Sequence, residues 1–165
     1  MRRLLVLAGF ILLAASSRGA ETIETYLTAG GFVEVFAKDG ALNTSIPQIR
    51  VYSASGLELA EFSGYSPALR EFLEAALLQE PRPGARKLVD LVPLMTKPDG
   101  TKFAAADLPK NERVIATFGA EWCGPCRVLK RDLSRMEGFT VLEVDADNRR
   151  IGDEAIRKAL FGGRH

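Results

Sequence analysis

The sequence predicts an α/β fold, and three observations carry that reading. Two segments with period-two alternation flank a Gly-containing turn at 48–62 and lead into an amphipathic helical stripe. A continuous apolar run at 114–118 has the character of a buried central strand and precedes a second helical stripe. A further strand pattern at 139–144 leads into a last helix. The chain of 165 residues has room for one domain with a small appendage. Its 47% hydrophobic and 26% charged residues exclude a wholly disordered chain, a collagen and a polytopic membrane protein. A formal net charge of +1 carries no electrostatic footprint for nucleic acid.

The elements follow in order. Met1-Arg2-Arg3 is a short basic start, and residues 4–17 are uncharged and rich in Leu, Ala, Val and Ile. That run is shorter than the roughly 20 residues a bilayer span needs, so 1–20 reads as a signal peptide and export is expected, with an N-terminal membrane anchor as the alternative. Removing 1–20 takes away three arginines and turns the net charge from +1 to −2. Residues 22–27 form a short mixed segment broken by Gly30-Gly31. Residues 32–36 read as a strand closed by a turn at 38–40. The hairpin has strands at 48–52 and 57–62 around the turn 53–56. Ser66 then stands as an N-cap with Pro67 after it, and Leu69, Phe72, Leu73, Ala76 and Leu77 make one apolar face of a helix over 66–79.

Pro and Gly at 80–84 form the best internal linker. Residues 88–94 are apolar enough for a strand, although Pro93 confines it to an edge or an end. After the central strand at 114–118, a helix is expected from Cys123 to Met136, with Val128, Leu129, Leu133 and Met136 on one face. Gly138 ends it, 139–144 is the next strand, and 151–160 is a final helix closed by Gly162-Gly163.

The two cysteines are the most informative residues. Both lie in Trp122-Cys123-Gly124-Pro125-Cys126, between the buried strand and a helix N-terminus. Unpaired N–H groups and the helix dipole favour an anion there, so the Cys123 thiol pKa is expected below its free value of about 8.5. Cys126, one turn later, is placed to attack a mixed disulfide formed on Cys123. Pro125 falls early in the helix, where a missing N–H costs little. Two other readings of the pair are a structural bridge and half of a zinc site. A bridge across so small a ring constrains little chain. The single histidine is His165, the last residue, so zinc lacks ligands and no metal is expected.

The stretch Phe118-Gly-Ala-Glu-Trp-Cys-Gly-Pro-Cys126 resembles the active-site signature of thioredoxins. The resemblance runs from about residue 94 to 161 and implies a three-layer α/β/α fold around a central mixed sheet. It implies a thiol–disulfide oxidoreductase, with Cys123 and Cys126 as the redox pair and Trp122, Gly124 and Pro125 supporting them. Gly-Pro between the cysteines favours a low potential and hence a reductase. No cofactor is expected beyond the Cys123–Cys126 disulfide itself.

In a thioredoxin the third helix leads into a strand entered through a cis-proline, then a second antiparallel strand and a final helix. The sequence stops at His165 without them, but 45–79 is similar to that missing half: Ser45-Ile46-Pro47, strand, turn, strand, Gly64, helix. The expectation is a circularly permuted fold in one domain over 21–165. Residues 45–79 would stand for the family's C-terminal half, 86–161 for its N-terminal half, and 80–85 for the linker. The nine residues 79–87 reach at most about 30 Å, enough to cross one face of a small domain. A separate N-terminal module, or halves exchanged between two chains, are the alternatives. Under the permutation Ile46 and Pro47 become substrate-binding residues, with the backbone of Ile46 offering strand-like hydrogen bonds to a client.

One departure matters. Thioredoxins commonly carry a buried Asp in the central strand, and the matching position here is Thr117, which cannot act as a base near neutral pH. Glu121 beside the motif and Glu143 in the next strand are the acids weighed in its place; Glu121 reads as a solvated residue, and Glu143 can point to either face. Arg127, Lys130 and Arg131 read as a solvated helix face. Segment 21–43 matches nothing in the family, and Phe32, Val35 and Phe36 read as core. Expected partners are a disulfide-containing client protein and, because export places a reductase in an oxidising compartment, a membrane-linked thiol reductant. No nucleic acid is expected, the chain is expected to be a monomer, and the bacterial periplasm is the expected location. Two competing functions are a redox-silent binding or assembly protein and a Cu(I)-handling protein.

Overall fold

The computed structural model describes residues 20–38, 41–42 and 44–162. The signal-peptide segment lies outside the described residues apart from Ala20. A six-stranded mixed sheet runs through the molecule. Its strands are β1 (Thr22–Leu27), β4 (Gln48–Tyr52), β5 (Glu58–Ser63), β6 (Met95–Thr96), β7 (Val114–Gly119) and β8 (Thr140–Asp145), in the spatial order β5-β4-β7-β8-β1-β6. A two-stranded ribbon of β2 (Ala37–Lys38) and β3 (Ala41–Leu42) stands apart from it. Strands β7, β8 and β1 are mutually parallel, whereas β4, β5 and β6 each run antiparallel to their neighbours. The mixed α/β sheet is compatible with a thioredoxin-like fold.

The hairpin forms where the alternation placed it. Gly56 sits at φ +76°, a conformation that glycine adopts without a Cβ penalty, and its N–H closes the turn onto Ser53 O at 2.9 Å. Strand β4 then pairs antiparallel with β7 in the same chain, from Gln48 opposite Phe118 to Tyr52 opposite Val114. Strand β7 is the central strand, buried from Val114 through Phe118.

Alternation along the strands sorts two cores. One contains Val114, Ala116, Phe118, Leu142, Val144 and Tyr52, covered by α1 (Ala29–Phe36), by α5 (Asp153–Phe161) and by Leu88 and Leu91. The other contains Ile49, Val51, Ile115 and Val141, covered by α2 (Leu69–Ala76) and α3 (Gly124–Leu133). The Tyr65 hydroxyl donates to Asp132 Oδ2 at 2.7 Å and ties the end of the hairpin to α3.

Four sequence expectations are corrected. Residues 32–36 are helical, not a strand: Phe32, Val35 and Phe36 are buried at helical spacing, Glu34 is exposed, and Thr28 caps the helix by accepting from Gly31 N at 3.0 Å. Burial of one face overrides the β-propensity of Phe-Val-Glu-Val-Phe. Gly31 is the position that permits it, because a Cβ there would lie 2.4 Å from Leu94 O. The apolar stretch 88–94 is a 3-10 segment that buries Leu88 and Leu91, and the strand follows it, as β6. The mixed segment at 22–27 is a full strand, parallel to β8 from Thr22 opposite Val141 to Tyr26 opposite Asp145. The final helix is also divided, into α4 (Asn148–Ile151) and α5, by Gly152 at φ +89°.

Candidate active site

The cysteine pair sits where the central strand gives way to a helix. Strand β7 ends at Gly119, the chain turns with Cys123 N donating to Ala120 O at 2.9 Å, and α3 begins at Gly124. Cys123 is the N-cap of α3, and its Sγ accepts from Cys126 N at 3.2 Å. An N–H of the first helical turn therefore already points at this sulfur, the electrostatic setting that stabilises a thiolate. Pro125 occupies the first turn without loss of a helical hydrogen bond. Cys123 and Cys126 are joined by a disulfide.

The surroundings of the two sulfurs differ. Cys123 is 3% exposed. Cys126 is half-buried and lines a cavity of about 570 Å³ together with Pro47, Thr117, Gly119, Lys130 and Glu143. Gly119 brings the strand backbone against Cys126: a Cβ there would lie 3.0 Å from its Sγ. Trp122 is 47% exposed, with the Arg149 guanidinium 4.9 Å from its ring centroid. Arg127 Nη1 donates to Glu121 O at 3.0 Å and braces the loop before the motif.

The structure brings the residues singled out in the sequence to one end of the sheet. The Ile46–Pro47 peptide is cis, Pro47 is buried, and its carbonyl accepts from Gly64 N at 2.8 Å. Ile46 is half-buried against the apolar core on the α1 side. Thr117 is buried in the sheet and lines the cavity. Glu121 is exposed. Glu143 faces the cavity rather than the α1 core.

Sequence reasoning passed over the engagement of Lys130. Its Nζ donates to Glu143 Oε1 at 3.0 Å and lies 2.8 Å from Oε2 and 3.9 Å from Glu24 Oε1. The hydrogen bond to Glu143 holds the Lys130 ammonium above its ordinary pKa. The available signal was spacing: Lys130 follows Cys126 by four residues, so both lie on one helix face. No sequence signal placed Glu143 beneath that face.

Comparison with known proteins gives one short similarity. The chain is 38% identical over 42 residues to thioredoxin-3 of Dictyostelium discoideum, a match covering 23% of this chain and 40% of that protein. No family model and no solved structure matches. The similarity and the bonded C-x-x-C pair both point to thiol–disulfide redox chemistry.

Proposed function

We propose that this chain is an exported thiol–disulfide oxidoreductase of thioredoxin type that works as a reductase. The observation that carries the reading is the Cys123–Cys126 disulfide at the N-terminus of α3, with an amide of the first turn aimed at Cys123 Sγ. In the reduced protein the Cys123 thiolate attacks a client disulfide and expels one client thiolate. Cys126 then attacks Cys123 Sγ, releases the second client thiol and restores the bond. Trp122 precedes Cys123 in the chain and Pro47 lines the cavity with Cys126, and the backbone at Ile46 offers an extended client segment strand-like hydrogen bonds. A membrane-linked thiol reductant returns the electrons, since an exported reductase works in an oxidising compartment.

The same proposal includes a permuted chain order. Residues 45–79 take the place of a thioredoxin's C-terminal half and 86–161 that of its N-terminal half. The antiparallel pairing of β4 with β7 within one chain supports this. Segment 21–43 then belongs to the domain as well, since β1 extends the sheet beside β8 and α1 covers one core.

Cys126→Ser tests the function. It leaves Cys123 able to attack but removes the resolving thiol, so a client should accumulate as a mixed disulfide that dithiothreitol releases. Trapping by Cys126→Ser with none by Cys123→Ser is the expected pattern. Equal capture by both variants, or by neither, contradicts the proposal.

A further inference from the structure

The resolving step requires Cys126 to lose a proton, and Thr117 supplies no base. Strand register places a carboxylate beside it. Thr117 on β7 is the parallel partner of Glu143 on β8, and Glu143 is the partner of Glu24 on β1. Neighbouring strands lie about 4.8 Å apart, and Thr117 and Glu143 line the same cavity as Cys126. Lys130, one turn beyond Cys126 on α3, grips Glu143 through Oε1. Glu143 Oε2 is buried and lies 2.8 Å from the same ammonium, so both carboxylate oxygens are held against Lys130.

The other charged or titratable groups lining the cavity are differently placed. Glu24 on β1 is 62% exposed and stands 3.9 Å from Lys130. Tyr26 on β1 lies under the Arg150 guanidinium, and Asp145 on β8 pairs with Arg150 at 3.1 Å. Glu121, in the loop before the motif, is exposed, and Arg127 on α3 braces that loop through the Glu121 carbonyl. Glu143 is the carboxylate in register with Thr117 and tied to the helix face that carries Cys126.

We propose that Glu143, positioned by Lys130, accepts the Cys126 proton across this cavity, directly or through one water. The proposal rests on the oxidoreductase reading. The Cys126 thiol gives its proton to the Glu143 carboxylate. The resulting thiolate attacks Cys123 Sγ, the Cys123–client S–S bond breaks as the Cys123–Cys126 bond forms, and the departing client thiolate takes the proton from Glu143. Two electrons pass from the protein dithiol to the client disulfide. Glu143 is the proton acceptor, and Lys130 is a positioning residue.

The test uses the reduced full chain and the chromogenic disulfide 5,5′-dithiobis(2-nitrobenzoate). It releases one thionitrobenzoate when Cys123 attacks and a second when Cys126 resolves. In Glu143→Gln the first release should keep the wild-type rate. The second should slow about a hundredfold near pH 6.5 and rise in proportion to hydroxide up to pH 9. Thr117→Asp in the Glu143→Gln background returns a carboxylate to the adjacent register position and should restore the shallower pH profile. Lys130→Met, a second variant, should slow only the second release. A second release with wild-type rate and pH profile in both Glu143→Gln and Lys130→Met overturns the proposal. A wild-type protein that gives no first release overturns the oxidoreductase reading instead, so the two failures are distinguishable.

Discussion

The two faces of the sheet are built from the same strands and differ in what lies at the cysteine end. Toward α1 and α5 the rows are apolar: Val114, Ala116 and Phe118 of β7 meet Leu142 and Val144 of β8, all fully buried. Toward α2 and α3 the rows begin apolar, with Ile115 and Val141, but become polar near the motif, where Thr117 and Glu143 stand in register beneath Cys126. The first face holds the domain together. The second trades part of its packing for a cavity that reaches a sulfur. Polar residues on a buried sheet face cost stability unless they are partnered, so their placement beside Cys126, with Lys130 as the counter-charge, points to chemistry rather than packing.

One substitution on each face of β7 separates the two roles with the largest expected effect. Phe118→Ala empties a fully buried site that also carries the Arg50 guanidinium 5.3 Å from its ring centroid. It should destabilise the domain by about 3–5 kcal/mol in denaturant unfolding. Thr117→Val, one residue away on the cavity side, should change stability by only about 1 kcal/mol. Equal costs would erase the distinction between the faces.

A smaller effect divides the faces by pH. Asp132, on α3, is held below its ordinary pKa by the hydrogen bond from Tyr65. A lowered carboxylate contributes stability above its unfolded pKa of about 4, and that contribution is lost as pH falls through the lower folded value. Tyr52, in the core toward α1, has its phenol pushed up to about 12 by burial. Its neutral form contributes stability below the unfolded value of about 10, and this is lost as pH rises toward 12. Melting temperature against pH should therefore fall on both sides of a broad plateau. Tyr65→Phe should weaken only the acid limb, and Tyr52→Phe only the alkaline one.

What the sequence disclosed follows the range of the interactions. The motif, the buried strand before it and the hairpin were legible because each is set by neighbours within a few residues: helix-start chemistry at Cys123, a continuous apolar run, a Gly56 turn. Strand β1 and helix α1 were not. Residues 32–36 have strand-like composition and become helical because the sheet buries Phe32, Val35 and Phe36 and because Gly31 can approach the Leu94 carbonyl. The site divided in the same way. Cys123, Cys126 and Trp122 were readable from spacing, whereas the meeting of Lys130 with Glu143 depends on the register of β8 beneath α3.

Reduction of insulin disulfides by dithiothreitol measures most directly whether the Cys123–Cys126 pair turns over, on which the proposed function depends. Catalytic amounts of the wild-type chain should shorten the lag before the freed insulin B chain precipitates, and Cys123→Ser should restore the uncatalysed lag. A wild-type lag equal to that of dithiothreitol alone, from protein whose cysteines had been shown to cycle to thiols, would contradict it.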